Sequence, residues 1–303
     1  MKNNYSYQGA LEASERIGWR VEDIIGGEKR LDFTKPFMPE SLAQVKQLSF
    51  LTPAEQRTLN QIRGYEYLAM FGLVEEFILP YVIDHARLQL SGDDYRVRAL
   101  LQFAGEEAKH IHLFKRFRQE FEAGFGIKCD FIGPAEDVKR FVLSHSPLGV
   151  SLAILHIEWM TLRHYIEGVK DNQDLDPQFK SLLKHHWLEE SQHTKLDTLI
   201  MEALAEAAIH KEIEQAFKEY ADIGGFLDNG IKQQTEFDVE SFVQATGRNL
   251  SKSEHEAITA AVLKGMRWTY LGTGMTHPNF LATVEQISPE GKKQIEATAP
   301  MFC

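Results

Sequence analysis

Cysteine is scarce: Cys129 and Cys303 are the only two in 303 residues, and they fit no zinc-ligand spacing, so neither a disulfide framework nor a zinc knuckle is expected. Long apolar runs are missing too. The most apolar stretch, residues 141–160, is interrupted by His145, His156 and Glu158, and the first twenty residues carry no apolar signal core, so a membrane partner is not expected and the cytoplasm is the default location. Basic residues are outnumbered, 33 Lys and Arg against 44 Asp and Glu, and a formal charge of −11 leaves no basic face to neutralise phosphates; a nucleic-acid partner is not expected. No flavin or nicotinamide fingerprint is present, no run alternates apolar and polar residues long enough for a sheet, and no solenoid repeat occurs.

What is present is helical periodicity in a chain of ordinary globular composition, 43% hydrophobic and 25% charged, long enough to bury a sizeable core. Residues 1–55 are punctuated by Gly26, Gly27, Pro36, Pro39 and Pro53 and read as an irregular arm with short helices that covers the rest. Thr52-Pro-Ala-Glu55 has capping-box spacing and opens a first long helix to about Leu90, in which Pro80 is expected to make a kink or a break. A second follows over 95–123, a short piece over 138–144, a third over 147–170 and a fourth over 178–220. A turn at 222–230 and helical pieces over 238–246 and 253–270 complete the chain. The expectation is an all-α single domain: an arm (1–55), a ligand-bearing four-helix bundle (56–220) and C-terminal helices packed on it (221–303).

Two copies of Glu-x-x-His, Glu107 to His110 and Glu190 to His193, sit on the second and fourth helices about eighty residues apart. Residues three apart share a helical face, so each pair offers an oxygen and a nitrogen to one metal, and two copies on facing helices define two adjacent ions. Such a site also needs one carboxylate from each remaining helix. On the third, Glu158 lies in line with Ile154, Thr161 and Tyr165, opposite the charged side of Arg163, Glu167 and Lys170. On the first, Arg63, Glu66 and Asp84 mark the wet side; Glu75 falls at the centre of the face holding Leu68, Phe71, Gly72, Leu79 and Val82, and Glu76 on its flank, so Glu75 is the choice. His186 precedes Glu190 by one turn and adds a third imidazole, which would make the two metals inequivalent. Asp197 continues that stripe as a candidate to orient a ligand histidine, and Tyr165 lies about two turns beyond Glu158.

A lone Glu or His on a helix is usually solvated or locally hydrogen-bonded. The ordered set Glu, Glu-x-x-His, Glu, Glu-x-x-His on four inward faces is what points to metal. The remaining histidines of these helices, His85, His112, His145, His156, His164 and His185, are read as lying on wet faces, flanks or loops.

In this order of ligands the chain resembles the ferritin-like di-iron carboxylate proteins, and with its third histidine most resembles the p-aminobenzoate N-oxygenase family of di-iron monooxygenases. That family's pattern of Glu, Asp-Glu-x-Arg-His, Glu and His-x-x-x-Glu-x-x-His is matched by Glu75, Glu106-Glu107-Ala-Lys-His110, Glu158 and His186-Trp-Leu-Glu-Glu190-Ser-Gln-His193. The departures are Glu106 and Lys109 for the family's Asp and Arg, and Glu189 and Gln192 in the last helix; they fall in the layer around the ligands, where Glu106 and Glu189 are candidates to tune the metals. The resemblance implies two iron ions, with manganese also compatible with the donors, dioxygen as co-substrate, oxidation of a small organic substrate such as an arylamine, and an external electron donor. A homodimer is the commonest assembly for such a chain. The rival readings are another oxidation on the same bundle, or an iron-oxidising and storage protein or a manganese or zinc protein without oxygenase activity.

Overall fold

The computed structural model describes residues 4–303. The arm contains α1 (Tyr7–Ser14) and the single turn α2 (Glu40–Ala43). The long helix α3 (Pro53–Arg87) starts from a reciprocal cap in which Thr52 Oγ1 accepts the Glu55 N–H at 3.3 Å and the Glu55 carboxylate accepts the Thr52 N–H at 2.7 Å. A six-residue connection leads to α4 (Asp94–Phe125), and α5 (Ala135–Val142) precedes α6 (Pro147–Arg163). α7 (Pro177–Ala207) is capped by Asp176, whose carboxylate accepts the Phe179 N–H at 2.6 Å. Short connections make α3–α4 and α6–α7 antiparallel hairpins, and the two hairpins face each other. α8 (His210–Thr246), α9 (Lys252–Arg267), the short α10 (Thr273–Met275), α11 (Pro278–Ile287) and α12 (Pro289–Thr298) pack around them. The molecule is a four-helix core with additional N- and C-terminal helices; among the described residues every regular element is helical, no β-strand forms and no helix is long and apolar enough to cross a membrane.

Several expectations need correction. Pro80 neither splits nor ends α3, because Ile78, Tyr81, Val82 and Ala86 on either side are all buried against the same core. The fourth ligand helix stops at Ala207 rather than near Tyr220, and the expected turn at 222–230 lies inside the 37-residue α8. The break at Ala208 and Ile209 carries no glycine or proline; it is set by the Glu212 carboxylate, which accepts the Ile209 N–H at 2.9 Å. Within α8, Gly224, Gly225 and Gly230 each cost the helix about 1 kcal/mol, and burial of Ile223, Ile231, Val239 and Phe242 outweighs them.

The side of α3 expected to be wet is covered by α8. Arg63 and Glu66 are wholly buried, with Arg63 Nη1 2.5 Å from Glu66 Oε2 and 3.7 Å from Asp238 Oδ2 of α8. Asp84, beyond the end of that cover, is exposed.

Candidate metal centre

The seven side chains singled out by spacing converge in the middle of the bundle. Glu75 of α3, Glu107 and His110 of α4, Glu158 of α6, and His186, Glu190 and His193 of α7 are all buried, none more than 2% exposed, while Glu76 is exposed. Ligand atoms of Glu75, His110, His186 and Glu190 lie within 4.8 Å of one another, and so do those of Glu107, His110, Glu190 and His193. These are two overlapping donor sets, with His110 and Glu190 common to both.

Glu190 stands between them. Its Oε1 is 2.6 Å from His186 Nε2 and 3.1 Å from His110 Nδ1, and its Oε2 is 3.1 Å from His193 Nδ1, the disposition of a carboxylate that spans two ions. Glu75 Oε1 is 3.1 Å from His186 Nε2, Glu107 Oε1 is 2.9 Å from His193 Nδ1, and Glu158 adjoins Glu190.

The far nitrogens of two histidines are held in a crossed pattern. His110 Nε2, on α4, is 2.9 Å from Glu189 Oε2 on α7, and His193 Nε2, on α7, is 2.9 Å from Glu106 Oε2 on α4. A carboxylate accepts, so each Nε2 carries the proton and each Nδ1 presents a lone pair to the cluster. Glu106 is itself held through Oε1 by Gln102 Nε2 at 2.9 Å and by the Ser14 hydroxyl of the arm; Glu189 Oε1 is held by Lys109. Lys109 Nζ also lies 4.0 Å above the Trp19 ring, and that ring stacks on His110 with centroids 6.2 Å apart. Residue spacing shows Glu106 and Glu189 as neighbours of ligands, but Ser14 and Trp19 sit in the arm with no local signal that they reach the centre.

The electrostatics show what the pocket requires. Burial, and then the charge of Glu75, push the Glu107 carboxyl well above its ordinary range; burial, and then Glu190, do the same to Glu158. Burial opposes charge on His186 as well, yet Glu190 and Glu75 hold its imidazole up at about 9. Both oxygens of Glu107, one each of Glu75, Glu158 and Glu190, and Nδ1 of His110 have no hydrogen-bond partner. Buried acceptors without donors are costly, and four carboxylates with three imidazoles at such separations are satisfied together by cations. Oxygen and imidazole donors in this ratio suit iron, manganese or zinc.

Two expectations change here. Asp197 is wholly buried, but neither of its oxygens meets a donor, and burial, against the pull of His193, pushes its carboxyl up to about 8. The acceptor that orients His193 is Glu106, because the i,i+4 spacing leaves Asp197 a turn away while Glu106 faces the ring across the bundle. Tyr165 stacks on Trp187 at 4.7 Å, which draws its ring along α7 to the turn between His186 and Glu190 rather than into the donor set.

His156 and His164 are also buried rather than wet, because α8 and the turns after α9 cover this side of α6. His156 Nδ1 meets the Tyr220 hydroxyl at 2.8 Å and Nε2 the Tyr270 carbonyl at 3.0 Å; burial lowers the two imidazoles to about 4 and about 3 respectively.

No family model matches this sequence, and no curated protein matches it. Among solved structures, one similar chain is a point variant of an R2-like ligand-binding oxidase with an aerobically reconstituted Mn/Fe cofactor, 13% identical over 89% of this chain and 94% of that one, with a TM-score of 0.46. The same variant of that oxidase, with an anaerobically reconstituted Mn/Fe cofactor, is 14% identical over 89% of this chain and 94% of that one, with a TM-score of 0.45.

Proposed function

We propose that this chain is a di-metal oxygenase that uses dioxygen to oxidise a small organic substrate, with two iron ions as the first choice of metal, manganese as an alternative, and an arylamine as the substrate class. The observation that carries the reading is Glu190 with its two oxygens facing different histidines, flanked by the crossed Glu106–His193 and Glu189–His110 pairs. Glu75, His110 and His186 would hold one ion, Glu158 and His193 the other, with Glu107 and Glu190 between them.

Two reduced irons would supply electrons to dioxygen and a Lewis-acidic surface on which to bind it. The chain's own residues do the rest. Glu106 and Glu189 fix the tautomer and direction of the two imidazoles, which raises their basicity toward metal. Glu190, whose two oxygens face different histidines, would contribute to both donor sets, and the flexible carboxylate binding of Glu107 and Glu190 would let the set adjust as charge changes during turnover. Asp197 lies buried beside the centre with no donor on either oxygen, and burial raises its carboxyl to about 8, which makes it a candidate to exchange a proton there. Beyond the two metals the chain has no redox cofactor motif, so the cycle draws on an external electron donor.

The test is a single turnover of iron-loaded, chemically reduced protein with labelled dioxygen and an aminobenzoate. Label in a nitrogen-bound product oxygen supports the reading; dioxygen consumption with accumulation of ferric mineral and no organic product replaces it with iron oxidation and storage.

A further inference from the structure

A second buried constellation lies beside the centre and takes no part in metal binding. Tyr67 of α3 and His164, just past the end of α6, are 1% and 3% exposed, and the Tyr67 hydroxyl is 3.1 Å from His164 Nδ1. The other ring nitrogen settles the direction of that bond. His164 Nε2 is 3.1 Å from the Thr269 carbonyl and 3.0 Å from Thr273 Oγ1, and the Thr273 hydroxyl already donates to the Thr269 carbonyl at 2.7 Å. A carbonyl only accepts, so Nε2 carries the ring proton, Nδ1 is bare, and Tyr67 donates to it.

The two elements that hold His164 depart from α-helical winding at that point, while Tyr67 comes from the regular helix α3. Helix α6 passes into a π-turn over His164–Val169, closed by the Lys170 N–H to Tyr165 carbonyl bond at 2.9 Å, and α9 passes into another over Trp268–Gly272, which contains Thr269. π-turns disrupt regular hydrogen bonding and are retained mostly where they place a functional side chain. Here the two meet at one imidazole.

The pair is also near the metal ligands. The Phe71 ring lies 4.4 Å from the Tyr67 ring and 5.5 Å from that of His186, and the charges of Glu190 and Glu75 both bear on the Tyr67 hydroxyl. A core tyrosine needs a partner for its hydroxyl, but a backbone carbonyl would serve, as Pro147 does for Tyr81 at 3.0 Å. Unlike a carbonyl, a bare imidazole nitrogen can also take the proton away.

We propose that Tyr67 and His164 form a proton-coupled redox pair, in which Tyr67 gives one electron to a strong one-electron oxidant while its phenolic proton crosses to Nδ1 of His164. The O–H bond of Tyr67 breaks and the N–H bond at Nδ1 forms; the products are a neutral phenoxyl radical, an imidazolium still held by Thr269, and an oxidant reduced by one electron. Its natural oxidant is the oxidised metal centre, so this assignment rests on the di-metal reading, and an electron from the external donor restores the phenol. Such a pair would discharge the centre when dioxygen reacts without substrate. Burial, with the charges of Arg163 and His156, opposes the positive charge that His164 acquires, and the Thr269 carbonyl that accepts from Nε2 supports it.

The experiment uses metal-free full-length protein, a photogenerated ruthenium(III) polypyridyl complex as oxidant, and freeze-quench electron paramagnetic resonance. The expected result is a persistent tyrosyl signal carrying an exchangeable proton coupling from a histidine hydrogen bond, lost in Tyr67→Phe and short-lived in His164→Phe. A signal unchanged in Tyr67→Phe, or the absence of any persistent tyrosyl signal in the parent protein, overturns the pair. Circular dichroism on both variants establishes that they fold; should His164→Phe not fold, His164→Gln serves, its amide nitrogen being unable to take the proton. Repeating the measurement with iron and dioxygen separates the two claims: two irons bound with no Tyr67 radical in either form refutes the pair alone, whereas a Tyr67 radical in a protein that takes up no iron refutes the metal centre alone.

Discussion

Glu106 Oε2 lies 2.9 Å from His193 Nε2, joining two helices across 87 residues of sequence. That contact fixes which nitrogen of His193 faces the cluster, and its counterpart between Glu189 and His110 does the same from the opposite helix. Each Glu-x-x-His motif is thus completed by the glutamate that precedes the other one. The pairing is reciprocal, so loss of one orienting carboxylate should affect chiefly the ion held by its partner histidine.

Glu106→Ala should lower metal affinity about 10- to 100-fold, the usual effect of removing a group that orients a ligand histidine, while Glu106→Gln, whose amide oxygen can still accept from His193 Nε2, should retain most of it. Competition with a chromophoric chelator measures both; equal affinity in the alanine variant and the parent would remove Glu106 from the site.

His186→Ala should leave the ion held by His193 and Glu158 in place and loosen the one held by Glu75 and His110, with the helical circular dichroism retained. Mössbauer spectra of the iron-loaded variant should show one perturbed and one unperturbed iron. Equal perturbation of both would contradict the division of ligands given above.

Acid–base behaviour should invert between metal-free and metal-loaded protein. Asp197 has a folded-state value near 8, above its unfolded value, so its contribution is complete below pH 4 and is lost as pH rises toward 8. His186, raised to about 9, contributes below its unfolded value near 6.5 and loses that contribution as pH rises through 9. These two groups should remove stability from the metal-free protein as pH rises, by roughly 1.4 kcal/mol per pH unit for each proton released; below pH 6.5 His156 and His164, held neutral by burial, oppose the loss, so the net fall is steepest between about pH 6.5 and pH 9. Asp197→Asn should flatten the lower part of that slope. Metal affinity should instead rise with pH, because ions displace protons from the same ligands. Urea midpoints at a series of pH values, with and without metal, check both signs.

Arg63→Met should destabilise the fold by about 3–5 kcal/mol, the cost of leaving buried carboxylates without their cation, since Glu66 and Asp238 would then face each other with only the neutral donors Tyr270 and Gln234. Adding Glu66→Gln and Asp238→Asn to the same chain should recover part of the loss. Denaturation midpoints measure this; a neutral Arg63→Met would mean that one carboxylate is already protonated in the parent.

The centre was legible because its chemistry is periodic. Glu107 to His110, Glu190 to His193 and His186 to Glu190 repeat at helical spacing, and a carboxylate on an apolar face, as at Glu158 and Glu75, contradicts its surroundings unless something pairs with it. The same logic failed where a polar face was read as wet. Arg63, Glu66, His156 and His164 are buried because α8, α9 and the π-turn beyond α9 cover those faces, and helical periodicity distinguishes one side of a helix from another without saying whether a later element will arrive on it. The break between α7 and α8 escaped notice for a related reason. It depends on one capping carboxylate, Glu212, in a stretch with no glycine or proline. Ser14 and Trp19 reach the ligands' partners from nearly a hundred residues away, a tertiary contact with no local trace.

The most direct test is the metal content of protein reconstituted with ferrous iron under anaerobic conditions and passed through a desalting column. Two irons per chain, falling in Glu75→Ala and unchanged in Glu76→Ala, is the predicted result. No retained metal, or a loss in Glu76→Ala with none in Glu75→Ala, would contradict the centre described here.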